Sequence, residues 1–112
     1  MGEPIAEHLI DAGYGVTVVC HRNRAPVERL VARGAVEAGT AGEAAARTDV
    51  ALLVLPTSAD VETLVFRPDG IAAGMLEGYL IVDMGTCYPS DTRALAARID
   101  AAGGRFIDAP VT

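Results

Sequence analysis

Tyr79-Leu80-Ile81-Val82-Asp83-Met84-Gly85-Thr86 decides the reading of this chain, together with a later echo of it, Arg105-Phe106-Ile107-Asp108-Ala109-Pro110-Val111-Thr112. Each stretch is a short apolar run that ends on an aspartate and opens into a loop bearing Pro or Thr. Between them, Pro89 to Ala102 repeats apolar residues at helical spacing and closes on Gly103-Gly104. A short apolar run, a helix and another short apolar run make a βαβ unit, whose strands are parallel. Open α/β sheets bind ligands outside the carboxyl ends of their strands, where Asp83-Met84-Gly85-Thr86 and Asp108-Ala109-Pro110-Val111-Thr112 fall. Those two loops are the expected site edge.

The same alternation extends upstream. Val50 to Leu55 is continuously apolar, as expected of a parallel strand covered on both faces, and Pro56 stops it. Ser58 is read as the cap of a helix carrying Val61, Leu64 and Val65. Gly15 to Cys20 is a β-branched strand, and Pro26 opens a helix with Val27, Leu30 and Val31 on one stripe, ended by Gly34. Ala35-Val36-Glu37 reads as a short edge strand, and Thr40-Ala41-Gly42-Glu43 as a capping box. Ahead of all these lies a helix with Ile5, Leu9 and Ala12 on one face and Gly13 as its stop. Asp69 to Gly78 holds a turn with one helical turn. Alternating helices and strands predict an α/β doubly wound parallel sheet, Rossmann-like, spanning 1–112 as a partial domain. Such a domain ordinarily begins with a strand. This chain begins with a helix.

Composition narrows the function. The formal charge of −6 disfavours nucleic acid and anionic membranes as partners. No apolar run approaches the roughly 20 residues of a membrane span. All nine basic residues are arginine, so no lysine chemistry is carried by this sequence. Two cysteines are too few for a disulfide scaffold, and a cytoplasmic setting is expected.

Several segments resemble the cofactor domain of the β-hydroxyacid dehydrogenase family, which includes 3-hydroxyisobutyrate dehydrogenases and the related 6-phosphogluconate dehydrogenases. Met1-Gly2-Glu3-Pro4-Ile5 and the helix behind it resemble the M-G end of the family's G-x-G-x-M-G fingerprint. Leu53-Val54-Leu55-Pro56 resembles its L-P loop. Val82-Asp83-Met84-Gly85-Thr86 resembles its V-D-M-S-T segment, with Gly85 in place of serine. Phe106 to Thr112 resembles the D-A-P-V-S substrate loop, with Thr112 in place of serine. The resemblance implies an NAD(P)-binding domain of an oxidoreductase that moves hydride between a nicotinamide and a small hydroxy acid. It implies that Gly2, Leu55 and Pro56 contact the cofactor, that Thr86 lies near the nicotinamide ribose, and that Thr112 faces the substrate. It places the catalytic lysine after Thr112 and the first strand before Met1. In the usual strand order that strand is central, between Gly15–Cys20 and Val50–Leu55. Its absence predicts a gap filled by another segment or by a partner chain in a homo-oligomer, or else two flanking strands without a common neighbour.

Other candidates carry competing readings. Arg22, Asn23 and Arg24 follow the second family strand, where an acidic residue would select NAD, so they point to the 2′-phosphate of NADP. The alternative is a solvated basic loop. Asp83 and Asp108 are either an acid–base pair or carboxylates that hold loop amides, and the second reading is preferred. Cys20 reads as a buried strand residue, Cys87 lacks a base to activate it, and His8 belongs on an exposed helix face. The rival to an enzyme domain is a non-catalytic nucleotide-binding or regulatory α/β domain.

Overall fold

The computed structural model describes residues 2–20, 22–85 and 89–110. In chain order the elements are α1 (Gly2–Asp11), β1 (Thr17–Val19), α2 (Arg24–Ala32), β2 (Val36–Ala38), α3 (Ala41–Ala46) and β3 (Val50–Leu53). They continue with α4 (Ser58–Phe66), α5 (Ile71–Gly74), β4 (Leu80–Asp83), α6 (Pro89–Ala101) and β5 (Arg105–Asp108). The predicted alternation is present, with α5 as the single turn expected within 69–78.

All strand pairings are parallel, and they fall into two ladders, β1–β2 and β3–β4–β5. Among the described residues, β1 and β3 share no common neighbour. This is the second of the two outcomes expected from the sequence, two flanking strands without a common neighbour.

Helix ends follow their local chemistry. Thr40 Oγ1 accepts the Glu43 amide at 3.1 Å, and the Glu43 carboxylate reaches back to the Gly39 amide at 2.9 Å. The capping box is therefore built, shifted by one residue on its return bond. After α2, the Ala35 amide bonds Leu30 O and the Gly34 amide bonds Val31 O, both at 3.0 Å, with Gly34 at φ 114°. That paired return requires a left-handed residue, which glycine adopts without a Cβ clash.

Two caps differ from the sequence reading. α4 is capped by Thr57, whose hydroxyl accepts the Asp60 amide, and Ser58 is the first helical residue. The extended backbone of Thr57, φ −138° and ψ 161°, aims its hydroxyl at the turn. α2 opens at Arg24 rather than Pro26, because the Asn23 side chain accepts the Ala25 amide at 3.1 Å and starts the helix earlier. Pro26 lies inside the first turn, where its missing N–H costs nothing.

The core gathers on one face of β3–β5. Ile81, Val61, Val65 and Ile99 are wholly buried, joined by Leu53, Ile71, Tyr79 and Leu95. The Tyr79 hydroxyl shares a 2.7 Å hydrogen bond with Thr48. Backbone meets backbone where α3 crosses α5: a Cβ on Gly74 would run into the Gly42 carbonyl oxygen, so α5 admits no larger residue there.

The expected cover on both faces of β3 is not observed. In register across the three strands, Leu52, Val82 and Ile107 form a row that faces away from the core. Leu52 is 41% exposed and Ile107 48%. The helices that follow β3 and β4 return over the Ala51–Ile81–Phe106 side, leaving the other side bare. Cys20 is half-buried and lies just past β1 instead of within it, and His8 is exposed as expected.

Candidate cofactor site

Register brings the site loops together. Leu53, Asp83 and Asp108 are aligned across β3, β4 and β5, so the segments 54–57, 84–85 and 109–110 leave the sheet at one edge. The ladder runs one step further: the Met84 amide donates to Leu53 O and the Ala109 amide to Asp83 O, each at 2.8 Å.

Asp83 is the one fully buried charged residue among those described. Its Oδ1 accepts the Gly85 amide at 3.0 Å, the loop-holding contact expected from sequence. Asp108, its register partner, is exposed. The two carboxyl groups thus occupy unlike surroundings, and Asp83 is engaged with the loop.

Gly85 stands where the resembled motif carries serine, and its surroundings are tight. A Cβ at this position would lie 2.6 Å from the Leu55 carbonyl oxygen and 3.3 Å from Asp83 Oδ1. The β3 and β4 loops approach so closely that only a residue without a side chain fits between them. Leu55 is half-buried and Pro56 exposed at this edge.

At the start of α1, Gly2 is exposed, and nothing lies within 4 Å of where its Cβ would be. That leaves the first turn open to close approach of a ligand. Glu3 in the same turn is held by Arg29 of α2 through two hydrogen bonds, 2.7 and 2.9 Å. The bonded guanidinium keeps the Glu3 carboxyl below its ordinary range.

The arginine loop divides by role. Arg22 is exposed and makes no hydrogen bond or ion pair with a described residue. Asn23 caps α2. Arg24 sends both terminal nitrogens to the Glu37 carboxylate of β2, each at 2.9 Å. That bond raises the arginine's already high pKa and lowers that of Glu37. The sequence reading missed this pair because its members are 13 residues apart and meet only through β1–β2 register. Thr86, Cys87 and Thr112 lie outside the described residues.

The NAD binding domain of 6-phosphogluconate dehydrogenase matches residues 1–112. The 2-hydroxy-3-oxopropionate reductase of Escherichia coli (strain K12) is 33% identical over 113 residues, covering 100% of this chain and 38% of that protein. The NAD-dependent L-serine dehydrogenase of Pseudomonas aeruginosa is 36% identical over 112 residues, covering 100% of this chain and 37% of that protein. The chain therefore spans little more than a third of the length of these curated relatives. The structure of Psf3 in complex with NADP+ and 2-OPP superposes with a TM-score of 0.89 at 26% identity, covering 100% of this chain and 39% of that one. A parallel sheet with its loops gathered at one edge and a match along the whole sequence lead to one conclusion: the chain belongs to the family of NAD-binding domains of 6-phosphogluconate dehydrogenase.

Proposed function

We propose that these residues form the NADP-binding part of an oxidoreductase acting on a small hydroxy acid, a 3-hydroxy acid or a related one. The observation that carries this reading is the gathering of the loops after β3, β4 and β5 at one edge, in a chain matched along residues 1–112. Bound there, the nicotinamide would supply hydride transfer, and the protein binding and orientation.

The residues present fit such a group. Gly2, with open space around it, lets a diphosphate approach the first turn of α1, where unpaired amides favour an anion. Leu55 and Pro56 offer backbone groups beside Gly85, whose missing side chain keeps the two loops in contact. Thr86 is assigned to the nicotinamide ribose and Thr112 to the substrate carboxylate. Arg22, Asn23 and Arg24 form the loop assigned to the 2′-phosphate, with NAD as the alternative cofactor. No lysine occurs among the 112 residues, so the proton-moving lysine is assigned to another part of the protein.

The net charge of −6 supports a small-molecule partner over nucleic acid or an anionic membrane. Among the described residues no helix is long and apolar enough to cross a membrane. Sparse cysteines support a cytoplasmic setting, and the edges of β1 and β3, which no described strand pairs, support a homo-oligomer.

Fluorescence titration with NADPH and NADH tests the reading. NADPH should bind more tightly, and Arg22→Ala combined with Arg24→Ala should remove most of that preference while sparing NADH. Failure of the folded protein to bind either cofactor would sink the dinucleotide reading. These 112 residues should show no turnover of 3-hydroxy acids, and measurable turnover would refute the missing lysine.

A further inference from the structure

Two arginines share the loop after β1, and the fold treats them differently. Arg24, the first residue of α2, makes a two-bond fork to Glu37, with both bonds at 2.9 Å. Its Nε also lies 3.9 Å from a Glu28 carboxylate oxygen. Arg22 starts with no such partner. The Asn23 carboxamide oxygen is already engaged by the Ala25 amide.

We propose that Glu37 is a positioning residue that sets cofactor selectivity: it holds Arg24, so that Arg22 alone distinguishes NADPH from NADH. This inference rests on the cofactor-binding reading above. A carboxylate and a phosphate monoester compete for the same guanidinium fork. If Arg24 turned to a 2′-phosphate, it would first break two charge-assisted bonds, so its net gain is a difference between similar interactions. Arg22 has no bond to a described residue to break, so its gain is the larger one. Glu37 also places negative charge beside the first turn of α2, where Arg24 alone would oppose the helix dipole.

The test measures NADPH and NADH dissociation constants for five proteins with the native circular dichroism spectrum: wild type, Arg22→Ala, Arg24→Ala, Glu37→Gln and Glu37→Gln with Arg24→Ala. Arg22→Ala should weaken NADPH binding about tenfold and leave NADH unchanged, the size of one well-aligned charge-assisted contact. Arg24→Ala should change either constant less than about threefold, the size of an exposed pair. Glu37→Gln should tighten NADPH by up to about fivefold, the most that an exposed pair withholds from Arg24, and adding Arg24→Ala should cancel that gain. Glu37→Gln tightening NADPH equally with and without Arg24 would overturn the inference, since the effect would then be general charge removal. Arg24→Ala weakening NADPH as much as Arg22→Ala would also overturn it. If Arg22→Ala leaves the NADPH-to-NADH ratio unchanged, the loop's cofactor role fails first, and Glu37's role with it.

Discussion

Residues 50–108 supply all but one member of the main buried cluster, whereas the α1–β1–α2–β2 segment adds none to it. That segment buries Val27, Leu30, Ala35 and Ala38, and α1 has no buried residue at all. It is instead tied by surface ion pairs: Glu3–Arg29 at 2.7 Å, Asp11–Arg33 at 2.8 Å and Glu37–Arg24 at 2.9 Å. The contrast follows from the split sheet. A helix buries its apolar stripe against a continuous sheet face, and the β1–β2 ladder is only two strands wide. Burial contributes about 25 cal/mol per Å² of apolar surface, while an exposed ion pair contributes about 0–1 kcal/mol. One region is therefore held by a large buried cluster, and the other by a small one supplemented by charges that water and salt weaken. The residues proposed to set cofactor selectivity sit in the weaker region and the closely packed loops in the stronger one.

Core truncation gives the largest contrast. Ile81→Ala, at a wholly buried position, should cost about 3–4 kcal/mol in urea unfolding. Leu9→Ala, on half-buried α1, should cost about 1 kcal/mol or less. Equal losses would mean that the two regions are cored alike.

Amide exchange should show the same asymmetry without mutation. Protection free energies in β1 and β2 should fall about 2 kcal/mol below those in β4, since opening the first region exposes little apolar surface. Uniform protection across both ladders would break the comparison.

Gly85→Ala sharpens it from the other side. The added Cβ meets the Leu55 carbonyl oxygen at 2.6 Å and should cost about 1–3 kcal/mol while weakening NADPH binding. If stability and binding are both unchanged, the close approach of these loops does not matter to the site.

Acid should give the smallest effect. Glu3 and Glu37 have carboxyl pKa values lowered chiefly by hydrogen bonds from Arg29 and Arg24. A depressed carboxylate stabilises the fold above its unfolded pKa, and that contribution is lost as pH falls through the lower folded value. Protection free energies in α1 and α2 should therefore fall below about pH 4, before those in β4 do. Added salt at neutral pH should act in the same direction. A fall confined to β4 would show that these pairs hold nothing together.

Much of the fold could be read locally. The β4–α6–β5 unit, the Thr40 cap and the left-handed Gly34 each depend on residues within a few positions of one another. Caps moved by one to three residues because a neighbour competed: Thr57 displaced Ser58, and Asn23 opened α2 ahead of Pro26. Of the candidate site, the Asp83–Gly85 contact and the converging loops followed from strand ends. The tight fit around Gly85 did not, since its cause is the Leu55 carbonyl of another strand's loop.

The sequence by itself determined the alternation of strands and helices, the family and the edge at which a ligand is expected, because hydrophobic period and turn residues act over short range. Tertiary structure alone decided which sheet face stays bare, how closely the two site loops approach, and which of two neighbouring arginines is already engaged. Those outcomes depend on register between strands distant in the chain, and register is settled only when the strands pair.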